Sequence, residues 1–180
     1  GAYYSQIFDH DLTLLSIKNS LFLSVLSTII DVVLGVMIAY VLTRRRFPFK
    51  DMLDALTMLP LALPGLVLAF GYVAGFSGTW FDVRESPVPL LIIAYAVRRL
   101  PYMVRAAYAG FQQTSIALEE ASMNLGAGPF RTLWKITLPL VVANLVAGAI
   151  LSFSFAMLEV SDSLILAVKE QYYPITKAIY

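Results

Sequence analysis

The sequence predicts an all-α protein, a polytopic bundle of transmembrane helices. Three observations carry that expectation. Hydrophobic residues fill 59% of the 180 positions and charged residues only 14%, against about 45–50% and about 25% in soluble domains. The apolar residues collect in runs long enough to cross a bilayer, longer than the core segments of so small a soluble protein. Lysine and arginine cluster between those runs, the pattern that orients a membrane protein.

The first predicted span covers about 17–43 and is apolar but for Lys18, Asn19, Asp31 and small hydroxyl residues. At 1.5 Å per residue, roughly 20 apolar residues cross a core of about 30 Å, so this run suffices. It is too long for the core of a signal peptide and lacks a small-residue cleavage site. A basic turn follows, Arg44-Arg45-Arg46 and then Phe47-Pro48-Phe49-Lys50. The second span, about 52–76, contains Pro60 and Pro64 and is expected to be kinked or broken. A polar loop rich in Gly and Pro comes next. The third span, about 87–107, is cleanly apolar only from Val88 to Val97, before Arg98-Arg99. To cross, it must continue through Leu100-Pro101-Tyr102-Met103-Val104, with the arginines snorkelling or facing a wet cavity. The fourth covers about 138–158. A last apolar patch, Leu164 to Val168, is too short to span. The chain opens on Gly and stops at Tyr180 without a polar tail, which reads as a piece of a longer chain.

Orientation follows from the basic residues. Arg44, Arg45, Arg46 and Lys50 lie after the first span, and Arg98, Arg99, Arg105, Arg131 and Lys135 lie at and after the third. The loop between holds only Arg84, beside Asp82 and Glu85. Both basic segments are therefore placed in the cytoplasm and the amino terminus outside. Stopping transfer or binding anionic lipid accounts fully for Arg44–Arg46. Tyr3, Tyr4, Trp80, Tyr172 and Tyr173 fall in outer segments, where aromatics anchor at the interface.

Several chemistries are excluded. There is no cysteine, so disulfides, thiolate metal sites and thiol redox chemistry are out. The one histidine, His10, precedes the first apolar run and reads as solvated. No catalytic, cofactor or metal constellation appears, and no Gly-rich loop ending in Gly-Lys-Ser/Thr, so the sequence shows no Walker-type nucleotide site. A net charge of +1 gives no reason to expect nucleic acid. The costly residues are carboxylates in apolar surroundings, Asp31, Glu159 and Asp162. Glu159, Ser161, Asp162 and Ser163 either line a translocation path or bond and cap between helices. Asp31 reads as structural. An ion-coupled secondary transporter using these acids is one reading of them.

The stretch from Thr114 to Pro129 is the most informative. Ser115 suits an N-cap, and Glu119 and Glu120 follow in the early helix, near the positive end of its dipole. Ile116, Ala117, Ala121 and Leu125 approximate an apolar stripe. Gly126 can take the left-handed conformation that ends a helix, and Gly128-Pro129 turns the chain into the next one. The expectation is two helices joined by a sharp elbow, a cytoplasmic segment of about 111–137. Physics alone gives an amphipathic surface helix and stops there.

Glu120-Ala121-Ser122, then Gly126 after three residues, then Ile136-Thr137-Leu138-Pro139 after nine more, resembles the cytoplasmic signature of type I ATP-binding-cassette importer permeases. Ser122 stands where that family usually has Ala. Leu34-Gly35-Val36-Met37-Ile38-Ala39-Tyr40, Leu59-Pro60-Leu61-Ala62-Leu63-Pro64-Gly65 and Leu100-Pro101-Tyr102-Met103-Val104-Arg105 are similar to the same permease core. The resemblance implies a multi-pass bacterial inner-membrane subunit, with one more spanning helix expected after Tyr180. It implies a helix that seats in a separate ATPase subunit, with Glu119 or Glu120 pairing with a basic residue there. Ala121 and Ser122 would allow close approach, and Gly126 would set the elbow. The implied partners are ATP-binding-cassette ATPase subunits, an extracytoplasmic solute-binding protein, a second permease core on the same or another chain, and membrane lipid. The resemblance is greatest to permeases for ferric iron, followed by polyamine, phosphonate, thiamine and sulfate importers.

Overall fold

The computed structural model describes residues 11–79, 82, 87–168 and 170–179. Tyr3, Tyr4, His10, Trp80, Arg84 and Glu85 lie outside the described residues. Every element among those described is helical. Helix α1 (Asp11–Arg44) is followed by α2 (Lys50–Ala62) and α3 (Gly65–Phe76), which meet at 105°. The break falls where the prolines put it. Leu63 is extended (φ −97°, ψ 134°), as the ring of the following Pro64 demands, and Pro64 precedes the first residue of α3.

Helix α4 (Pro87–Gln113) runs past the expected end near 107, and Ser115 caps α5 (Ile116–Asn124). After the elbow, α6 (Pro129–Thr132), a π-helical turn (Leu133–Thr137) and α7 (Leu138–Met157) follow one another without a break. The fourth helical rod thus begins nine residues before the apolar run does. The wide turn has a local cause: Pro139 has no N–H and would crowd the carbonyl four residues back. The Leu138 N–H instead reaches Leu133 O, five residues back.

Helices α1, α4 and α7 pack against one another. Met103 of α4, fully buried, marks the closest approach. A Cβ on Gly35 of α1 would lie 2.6 Å from Met103 Cγ, and one on Gly148 of α7 would lie 2.8 Å from its Sδ. Apolar side chains gain little by leaving lipid, so small residues that admit close contact determine where membrane helices meet. The outward faces are apolar, with Phe22, Val25, Ile29 and Met37 on α1 and Val142, Val146 and Ile150 on α7 all exposed. α1, α4 and the rod from Pro129 to Met157 are each long and apolar enough to cross a membrane, and α2 with α3 makes a fourth if it is one bent span.

The short apolar patch after the fourth span folds back as α8 (Ser161–Leu166), a 3-10 turn (Glu170–Tyr172) and α9 (Ile175–Ile179). Leu166 and Ala167 are fully buried against Leu90, Leu91 and Tyr95. Asn19 of α1 ties the segment down by donating to Gln171 O (2.9 Å) and Tyr173 O (3.2 Å). The Ile175 N–H donates to Ser20 Oγ at 2.8 Å.

Candidate functional site

Two regions carry the polar chemistry, one inside the bundle and one at its basic end. Inside, α1 turns a polar stripe inward: Ser16, Ser20, Ser24, Ser27 and Asp31 recur every three or four residues and are all at most 2% exposed. This is a helical face, and that spacing was the available signal. Across from it Arg98 and Arg99 of α4 do not snorkel. Arg99 is buried and bonds the Glu159 carboxylate and, at 3.0 Å, the Phe155 carbonyl. Arg98 Nε lies 3.6 Å from Glu159 Oε2. The other Glu159 oxygen accepts from the Asp162 N–H at 3.2 Å. Glu159 therefore joins the end of α7 to the middle of α4 and caps the start of α8.

Arg98, Arg99, Tyr102, Phe155 and Glu159 line a cavity of about 330 Å³, closed on one side by Pro60, Leu61 and Leu63 beside the α2–α3 break. The rings of Tyr102 and Phe155 stack at 4.9 Å. Gly65 gives Arg98 its place, since a Cβ there would lie 2.2 Å from Arg98 Nη1. Asp162 is fully buried behind this cluster, outside the cavity lining, and neither of its oxygens has a hydrogen-bond partner among the described residues. The same holds for Asp31. Ser163 bonds the Val160 carbonyl at 2.8 Å, a structural contact. The side chain of Ser161 lies outside the described residues. Of the sequence candidates for a path, Glu159 alone reaches the cavity among those described. The arginines and Tyr102 join it there.

At the basic end, the local signals of the elbow are all realised. Ser115 Oγ accepts the Ala117 N–H at 3.3 Å. Gly126 takes φ +88°, and the Gly126 and Ala127 N–H groups bond Met123 O (2.9 Å) and Ser122 O (3.1 Å). That is the paired closure of a helix ending on left-handed glycine. Ser122 and Thr132 then join hydroxyls at 3.0 Å across the elbow, so the departure from the usual Ala adds a bond.

The apolar stripe faces outward. Ile116, Ala117, Ala121 and Leu125 are exposed, Leu125 at 90%, and so are Leu118, Met123, Phe130 and Trp134. The residue α5 buries is Glu119. Its Oε1 is 2.9 Å from Arg44 Nε, with each side chain 7% exposed. Arg44 is thus withdrawn from lipid, whereas Arg45, Arg46 and Glu120 are exposed. A groove of about 610 Å³ runs between α5 and the following rod, with Leu118, Ala121, Ser122, Gly126, Arg131 and Lys135 along it.

The sequence profile of the family described as binding-protein-dependent transport system inner membrane component matches residues 31–168. The molybdate/tungstate transport system permease protein WtpB of Pyrococcus furiosus is 32% identical over 91% of this chain and 63% of its own length. The sulfate transport system permease protein CysT of Escherichia coli is 35% identical over 85% of this chain and 58% of its own. The ferric transport system permease protein FbpB of Actinobacillus pleuropneumoniae is 33% identical over 81% of this chain and 21% of its own. The chain spans less than two thirds of the length of these relatives.

Proposed function

The chain belongs to the binding-protein-dependent transport system inner membrane component family, and on that premise we propose that it is the permease part of an ATP-driven importer coupled through α5 to a separate ATPase. One observation carries the coupling: α5 presents Glu120 and an apolar rim to solvent on an elbow closed by Gly126. Exposed apolar surface rimmed by polar residues marks a protein or membrane contact, and the exposed carboxylate of Glu120 within it favours a protein. Ala121 and Ser122 are small enough for an ATPase cleft to close over them. The unbroken rod from Pro129 to Met157 then carries a rigid-body displacement from the elbow into the membrane.

The cavity of Arg98, Arg99, Tyr102 and Glu159 is the proposed segment of the translocation path, with Asp162 and Ser163 behind it. A small inorganic ion is the proposed cargo, ferric iron first, with molybdate, tungstate and sulfate as the competitors that the relatives' names supply. An external solute-binding protein delivers it, and a second permease core completes the path in the bacterial inner membrane.

The test uses full-length protein, its ATPase and its binding protein in proteoliposomes. ATP-dependent uptake of labelled ferric ion, molybdate and sulfate is compared for wild type, Glu120→Lys and Gly126→Leu. The reading requires uptake of one of these ions, and loss of ATPase association in both folded variants. It fails if no ATPase associates and uptake follows an ion gradient.

A further inference from the structure

Resting on that reading, we infer that Arg44 and Glu119 form an internal strut that carries the movement of α5 into α1, separate from the contact α5 makes with the ATPase. The two adjacent carboxylates of α5 point to different places. Glu120 is exposed; Glu119 is buried and already paired. A carboxylate held by an internal guanidinium is not available to a basic residue of a partner. Glu120 therefore faces the ATPase, and Glu119 faces the membrane helices.

Arg44 is the last residue of α1, where a cation also suits the helix dipole. It reaches three places at once. Its Nε bonds Glu119 Oε1 at 2.9 Å, its Nη2 bonds the Thr114 carbonyl at 3.2 Å, and its guanidinium carbon lies 5.8 Å from the centre of the Phe111 ring. Phe111 and Thr114 belong to the end of α4 and the turn before α5. One side chain thus ties α1 to α4 and to the first turn of α5. The forked, planar guanidinium holds the carboxylate and the carbonyl in a fixed relative direction, whereas a lysine ammonium has three donors on one freely rotating point of charge. Because both partners are withdrawn from water, the pair is less screened than an exposed one, and separating it strands a charge. A shift of α5 must therefore move the end of α1 with it. α1 in turn carries the buried serine and Asp31 face and packs on α4, whose Arg98 and Arg99 line the cavity.

The experiment uses the full-length protein with its ATPase in proteoliposomes and reads two quantities, ATPase association and uptake per ATP hydrolysed. Arg44→Glu, Glu119→Arg, the two combined, and the milder Glu119→Gln are compared with Glu120→Lys. The strut predicts that the single variants keep ATPase association but lose at least about fivefold in uptake per ATP, within the range of coupling free energies between sites. The combined reversal recovers most of that loss. Glu120→Lys, by contrast, loses association. Single variants with unchanged uptake per ATP overturn the strut. So do single variants that lose association as Glu120→Lys does, or a combined reversal no better than its parents. A wild-type protein that never associates with an ATPase sinks the functional reading itself, which is a separable result.

Discussion

A guanidinium and a carboxylate withdrawn from water hold only while the pair is complete, and for Arg99 it is Glu159 that completes it. It pairs with Arg99, lies near Arg98 and caps α8. Glu159→Gln removes the one carboxylate in direct contact with buried Arg99 among the described residues, and breaking one partner of a buried pair costs about 3–5 kcal/mol. Thermal unfolding of the full-length protein in detergent should show a clear fall in the midpoint. Asp31 is the contrasting case, since its carboxylate is just as buried yet has no hydrogen-bond partner among the described residues. Asp31→Asn removes a buried carboxylate that no hydrogen bond among the described residues satisfies and that has only the more distant charge of Arg99 in its favour, so the midpoint should fall less than in Glu159→Gln, or rise. Equal losses in the two variants would mean that Arg99 supports Asp31 as strongly as it supports Glu159. Both acids were legible in the sequence as costly residues in apolar runs. The partner of Glu159 was not, because Arg99 and Glu159 meet across 60 positions of chain, and no local pattern encodes that meeting.

At the scale of the element, local chemistry wrote the elbow plainly. Ser115, Gly126 and Pro129 act on their own turns, so their positions were readable in advance and are found as caps, left-handed closure and first helical residue. The face that α5 turns inward was not readable. It is chosen by Arg44, which arrives from another helix and draws Glu119 in, leaving the apolar residues outside. Gly126→Ala should cost about 1–2 kcal/mol, the penalty for an L-residue in the left-handed region. That cost is local, so hydrogen exchange should quicken over 121–132 while α1 and α7 keep their protection. Ser122→Ala restores the usual family residue and removes the hydroxyl bond to Thr132, for about 0.5–1.5 kcal/mol. It should loosen the same amides less and leave ATP-driven uptake near wild type. Exchange that spreads along α7 in either variant would mean that the elbow supports the whole rod.

For the molecule as a whole, everything depends on how many times the chain crosses, and α2–α3 decides it. At 1.5 Å per residue, legs of 13 and 12 residues are about 20 and 18 Å long, and a 105° bend leaves a chord of about 23 Å. A hydrocarbon core of about 30 Å is wider than that, so Leu63, Pro64 and the flanking residues must supply the difference. The alternative is that the bent pair re-enters and leaves on the side it came from. The basic residues oppose this: with one crossing, Arg45, Arg46 and Lys50 fall on the same side as Arg131 and Lys135, as the bias toward the cytoplasm requires. With re-entry the two clusters are split, and the α5 elbow is outside, where no ATPase can reach it. Single cysteines decide the matter, and these 180 residues contain none to interfere. In otherwise cysteine-free full-length protein, Arg46→Cys and Leu125→Cys, both at exposed positions, should react with an impermeant maleimide only after the cytoplasmic side is opened. Thr79→Cys should react in intact cells. Labelling of Leu125→Cys from outside, with Thr79→Cys protected, would make α2–α3 a re-entrant loop and remove the coupling helix from the compartment where ATP is hydrolysed.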